Sequence, residues 1–217
     1  VMYDAVLDIE GSTSPERIVE ETAPGSAEVG RTRWGLVPGR IKWDIVAGIA
    51  FIHAGVLFAP FTFTWSAFWV FFWLQLLTGM GVTVCYHRLL AHRSFQVPKW
   101  LEYTLTVCGS LALQGGAIKW VATHRVHHAF SDRPQDPHSP TRGFWWAHML
   151  WLFAYDDVLD HPMKYFRYAP ELARDPGHRI IHRTHVLQSV LLGVLLYALG
   201  GFPWLVWGMF VRLVFVY

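Results

Sequence analysis

Two groups of histidines have the types and spacing that chemistry could use. The first is His87-Arg88-Leu89-Leu90-Ala91-His92; the second is His124-Arg125-Val126-His127-His128. On a helix, offsets of three and four put the three imidazoles of the second group on one face. The offset of five in the first group turns its rings about 140° apart, at ~100° per residue. Both rings of that group reach one site if the helix ends or bends near Ala91. Five imidazoles with no cysteine beside them favour zinc, copper, iron or nickel over calcium or magnesium. A structural zinc site is complete with four ligands and usually includes cysteine. Neutral imidazoles hold ferrous and ferric iron without closing every coordination position, and oxygen chemistry needs open positions. The competing reading is interfacial histidines that bind headgroups or satisfy helix ends. It suits a lone HxxxxH better than two dense clusters.

The elements that must position these clusters are apolar. Hydrophobic residues make up 53% of the 217, and mean hydropathy is +0.27. Charged residues make up 16%, against roughly 25% in a soluble domain. That balance excludes disorder over most of the chain. Cys85 and Cys108 are the only cysteines, both within apolar stretches, which excludes a disulfide scaffold. A net charge of +2 gives no argument for nucleic acid.

Gaps between charges define the architecture. No Asp, Glu, Lys or Arg occurs over the 43 residues between Asp44 and Arg88. This is room for two spans of ~20 residues, near 43–60 and 64–86, with the turn at Pro60. His53 falls in the first span and reads as a helix–helix hydrogen-bonding histidine. A second gap, Tyr103 to Ile118, has 16 residues and suits a re-entrant or buried helix. A third, Thr184 to Val211, has 28 and is punctuated at Gly200-Gly201-Phe202-Pro203. It predicts spans near 184–200 and from 203 onward, joined by a tight turn, with a single kinked span as the weaker alternative. The expectation is an all-α integral membrane protein: about four transmembrane helices in two hairpins, plus interfacial helices carrying the histidines.

Residues 1–40 read as a polar, mobile arm, with seven acids before Arg31 and no sustained period. The segment 87–183 holds 12 of the 18 Lys and Arg, and 11 of the 12 His fall between 87 and 185. By the positive-inside rule, the arm and the histidine segment face the cytoplasm. The turns near 60 and 201 face the other side.

The clusters and their surroundings resemble a known family. HRxxxH is met by His87 to His92, and HRxHH by His124 to His128. Gly79-Met80-Gly81-Val82-Thr83 leads into the first box, and Ala91-His92-Arg93-Ser94-Phe95 carries on from it. Gln114 and Trp120 precede the second; Asp136-Pro137-His138, Arg142-Gly143-Phe144, His148 and Trp151 follow it. From about residue 40 to its end, the chain resembles membrane fatty acyl desaturases of the Δ9, stearoyl-CoA desaturase-like branch. Asp132 to Trp151 is most similar to bacterial and cyanobacterial members.

The resemblance implies an O2-dependent dehydrogenation at two iron ions, which leaves a cis double bond in a saturated acyl chain and releases water. It implies His87, His92, His124, His127 and His128 as metal ligands. It makes Trp120, His148 and Gln114 candidates for supporting the ligands or lining an acyl tunnel, with Trp145 and Trp146 as tunnel or aromatic-belt residues. The substrate would be an acyl-lipid or acyl-CoA, and electrons would come from a donor such as ferredoxin or cytochrome b5. Animal acyl-CoA members carry Arg-Asp immediately before the second box, where this chain has Ala122 and Thr123; that difference favours an acyl-lipid. Lys119, Arg142 and Lys164 could meet phosphates, or serve only as cytoplasmic positive charges.

The family also has a third box, HxxHH, with a further His and Asn upstream. The match stops at Phe215-Val216-Tyr217, before that region. Residues 41–217 therefore read as a desaturase membrane domain truncated at its C-terminus, complete as an enzyme only with the missing part. His178, His182 and His185 read as interfacial residues on a loop entering a span, not as substitute ligands. His138 and His161 are supporting residues at most. The alternatives are a related di-iron membrane lipid hydroxylase or alkane monooxygenase, an inactive metal-binding membrane fragment, or a histidine-rich metal transporter. A transporter should carry its ligands within the spans, where only His53 lies.

Overall fold

The computed structural model describes residues 40–131, 133, 135–156, 160 and 167–217. The expected arm, apart from Arg40, lies outside the described residues, as do His161 and Lys164. Most of the described residues are helical, with an isolated antiparallel bridge between Ile41 and Ala154.

Three helical stretches are long and apolar enough to cross a membrane: Trp43–Phe61, Trp65–Ala91 and Pro176–Val216. The first is α1 (Trp43–Val56) followed by a 3₁₀ turn at Ala59–Phe61. Pro60 sits in that turn, where it donates no backbone hydrogen bond. Helix α2 (Trp65–Met80) starts at Thr64, whose Oγ1 accepts from the Ala67 N–H at 3.1 Å. That N-cap satisfies one of the orphan donors of the first turn. The helix continues to Ala91 through wide π-type turns over Gly81–Ala91. It thus runs past the span end expected at 86 and carries His87 within it. His53 is exposed, and its Nδ1 lies 2.8 Å from Ile49 O of its own helix. It bonds within α1, not between helices as expected, because no helix among the described residues covers that position.

Helices α3 (Lys99–Ser110) and α4 (Ala117–Phe130) follow. The gap read as a short buried helix is thus divided between two, joined by a turn. Gly81 and Gly109 let α3 approach the α2 extension closely: a Cβ on Gly81 would collide with the Gly109 backbone. Cys85, Tyr86, Leu89 and Leu90 pack on Ala117, Ile118, Val121 and Ala122 of α4. Both histidine-bearing helices therefore share one apolar core.

The short α5 (Pro170–Arg174) leads to α6 (Pro176–Leu205), extended by wide turns at Val206–Val211 and by α7 (Arg212–Val216). Residues 175–184, read as a loop, instead cap and open α6. Asp175 is the N-cap, its side chain accepting from the His178 N–H at 3.1 Å. Gly201 breaks the run with φ 65° and ψ −158°, two residues before Pro203. Leu196, Met209 and Leu213 then form one buried cluster. On a straight helix Leu196 and Leu213 would lie about 25 Å apart, so the chain doubles back at Gly201.

Candidate metal centre

The first histidine group is built by the wide turns. The His92 N–H donates to His87 O at 3.0 Å, five residues back. Turns closed by i to i+5 bonds bring residues five apart into register. His87 and His92, which a regular α-helix would separate, therefore meet with Nε2 atoms 3.1 Å apart. The turns end at once: His92 is the C-cap and Arg93 takes a left-handed φ of 50°.

Helix α4 supplies the rest. His92 Nε2 lies 3.2 Å from His124 Nε2, which lies 3.0 Å from His128 Nε2. His87, His92, His124 and His128 thus turn one nitrogen each toward a common point, all within 4.8 Å of one another. A neutral imidazole Nε2 offers one proton or one lone pair. His92 and His124 each face two other Nε2 atoms, which hydrogen bonding alone cannot satisfy. A cation at the centre satisfies all four. Metal–imidazole bonds of about 2.1 Å at right angles give nitrogen–nitrogen edges of about 3.0 Å, so the donor set fits a metal with wider than tetrahedral coordination. Burial and the neighbouring imidazoles hold the His124 ring at a pKa of about 3 and lower that of His128 as well. Both rings are neutral, as ligands must be.

His127 goes elsewhere. Its Nδ1 lies 2.9 Å from Oδ1 of the buried Asp136, and its ring stacks on His138 with centroids 4.2 Å apart. His127, Asp136 and His138 form a second group that could hold an ion. The shared helical face for His124, His127 and His128 resolves into two directions. Asp136 appeared in the sequence only as part of a flanking motif. Its burial, with Oδ2 making no hydrogen bond among the described residues, is the sign of a role that spacing could not show.

Arg125 is the residue that sequence reasoning left without a role. Its guanidinium donates to Leu90 O (2.9 Å), Ala91 O (3.3 Å) and Tyr168 O (2.9 Å), and pairs with Glu171 at 2.6 Å. The Leu90 and Ala91 carbonyls are orphans at the end of the wide-turn helix. An arginine from the second box therefore caps the helix of the first. Glu171 also holds Arg93 at 2.7 Å. Burial alone would raise the Glu171 pKa, but the two arginines and a backbone donor hold it low, so the carboxylate stays charged.

A cavity of about 360 Å³ adjoins His124 and His138. Ile45 and Ile49 of α1 give it an apolar wall, with Leu113, Trp151 and Leu152. Trp120, Gln114 and His148 also line it. Trp120 stacks on His124 (4.9 Å, 22°) and donates from Nε1 to Gln114 Oε1 at 3.3 Å. His148 stacks on Phe144 and belongs to neither imidazole group. Trp145 is exposed, and Trp146 is buried under the Arg142 guanidinium; neither lines the cavity. Lys42 and Lys119 line its polar end, each 2.7 Å from Asp160. His178 is remote from these groups, fully buried against Glu102 at 2.7 Å.

Comparisons with known proteins place the chain in a family. A fatty acid desaturase family profile matches residues 63–217. The chain is 44% identical over 182 residues to sn-1 stearoyl-lipid 9-desaturase of Anabaena variabilis, covering 82% of this chain and 65% of that one. It is 46% identical over 178 residues to the chloroplastic palmitoyl-monogalactosyldiacylglycerol delta-7 desaturase of Arabidopsis thaliana, covering 82% and 48%. It is 48% identical over 164 residues to an acyl-CoA 5-desaturase of Anemone leveillei, covering 75% and 51%. The chain spans about half to two thirds of the length of these relatives. With a profile match over most of its length, and both histidine boxes inside that match, the chain belongs to the fatty acid desaturase family.

Proposed function

We propose that the protein is an O2-dependent acyl desaturase that places a cis double bond, at Δ9, in a chain esterified to a membrane lipid. The observation that carries this reading is the convergence of four imidazoles from two helices beside an apolar-walled cavity. Ala122 and Thr123, both buried, offer no charge ahead of the second box for a CoA phosphate. Relatives named as acyl-lipid desaturases support the substrate class. The Anemone relative named for acyl-CoA makes a CoA ester the second reading.

His87, His92, His124 and His128 would hold one iron. His127 would serve a second, with ligands from an HxxHH box outside these 217 residues. Bound iron supplies the oxidising power toward an unactivated methylene that no side chain has. The residues of this chain do the rest. Arg125 locks the two boxes together, Asp136 orients His127, and Trp120 braces His124. The apolar wall excludes water and holds the acyl chain. We place four spans in two hairpins, the second turning at Gly201, with the histidines on the cytoplasmic side. Ferredoxin or cytochrome b5 fits there as electron donor.

The full-length protein, expressed in a host without Δ9 unsaturated lipids, tests this reading. Gas chromatography should find new cis-Δ9 chains, and labelled precursors should show them arising on intact glycerolipid. Appearance first in the acyl-CoA pool would favour the second reading. A hydroxylated product would replace desaturase with hydroxylase.

A further inference from the structure

Arg212 is fully buried near the end of Pro176–Val216, the longest candidate span among the described residues. No carboxylate pairs with it among the described residues. Its Nε donates to Gly208 O at 2.7 Å. Nη1 donates to Leu111 O at 3.0 Å and Thr78 Oγ1 at 3.3 Å, and Nη2 lies 3.8 Å from Met209 Sδ. The Thr78 hydroxyl gives its own proton to Leu74 O at 2.8 Å, which leaves its lone pairs for the arginine. A leucine or methionine would be far cheaper in such surroundings. The charge is held by dipoles alone, and the most telling of them is Leu111 O. Leu111 is the C-cap of α3, at the negative end of that helix.

Leu111 opens the turn to α4. Leu113 adopts a left-handed φ of 55° and Gly115 a φ of 95°. A left-handed leucine is strained and persists only where its surroundings over-determine it. Here they do so from one segment. Arg212 holds Leu111 O, Tyr217 OH donates to Leu113 O, and Gln114 Nε2 donates to Val216 O at 2.8 Å. Leu113, Gln114, Gly115 and Tyr217 all line the cavity beside His124. Through Gln114 the turn also fixes Trp120, and Trp120 braces His124.

We propose that Arg212 is a positioning residue: by clamping the Leu111–Gly116 turn, it sets how far an acyl chain advances past the histidines, and so where the double bond forms. This inference rests on the desaturase reading above. The test is the full-length protein in the same host, with Arg212→Met, Arg212→Lys and Tyr217→Phe, reading double-bond position by mass spectrometry of derivatised chains. Arg212→Met should lower product per enzyme on the order of 10–100-fold and spread the double bond over neighbouring positions. Arg212→Lys, which can still reach Leu111 O, should recover most of the wild-type position. Tyr217→Phe removes one bond and should shift position mildly without loss of protein; it serves if Arg212→Met does not accumulate. Less product with an unchanged double-bond position in all accumulating variants overturns the proposal and leaves Arg212 a fold residue. A wild-type control that makes no unsaturated product instead sinks the desaturase reading itself.

Discussion

At the scale of single residues, the division of the box histidines matters most. His124 faces three other imidazoles, whereas His127 faces Asp136 and His138. Their substitutions should therefore differ. In the purified protein titrated with Co(II), His124→Ala should weaken the four-imidazole site by more than the roughly 10–100-fold typical of losing an outer partner. His127→Ala should change that site less than about tenfold. Equal effects of the two at that site would refute the division. Arg125 shows the same logic in its contacts: it spends its donors on the carbonyls that close the other box, so a motif position that ligates nothing holds the ligands in register.

Among elements, α6 is positioned by its N-cap. Asp175 accepts from the His178 N–H and from Tyr103 OH, and pairs with Lys99 at 3.0 Å. Burial would raise its pKa, yet these donors win and hold it at about 2. Its unfolded value is about 3.9. A group whose folded pKa is depressed contributes stability that is complete above the unfolded value and lost as pH falls through the folded one. Thermal unfolding in detergent should therefore show a loss between about pH 4 and 2 that Asp175→Asn flattens. Asparagine still caps, so the comparison isolates the charge; identical pH slopes would remove Asp175 from the account. The wide turns at Gly81–Ala91 make a second point at this scale. They cost regular helix geometry and gain the meeting of His87 with His92.

For the whole molecule, the charge distribution predicts a sidedness. The turn at Ala59–Phe61 carries no charge, while Arg88, Arg93 and Arg125 surround the histidine end. Single cysteines at Thr62 and Ser94, in a background lacking Cys85 and Cys108, should react with an impermeant thiol reagent from opposite sides of sealed vesicles. Labelling of both from one side would contradict the two-hairpin arrangement.

Much of this was legible in local pattern. The charge-free runs placed spans near 43–60 and 64–86, and the helical stretches are Trp43–Phe61 and Trp65–Ala91. The spacing of the boxes singled out five histidines, four of which converge, and Gly200-Gly201-Phe202-Pro203 marked the place where the chain reverses. Hydropathy, helix period and turn residues are properties of neighbours along the chain, which is why they could be read there. The partition of five histidines between two groups, the reach of Arg125 to Leu90 and Ala91, and the clamp of Arg212 on Leu111 are contacts between distant segments. They follow from how α2, α4 and α7 pack, a choice made by the shared core and by buried hydrogen bonds. Only the tertiary structure sets the distances on which coordination depends.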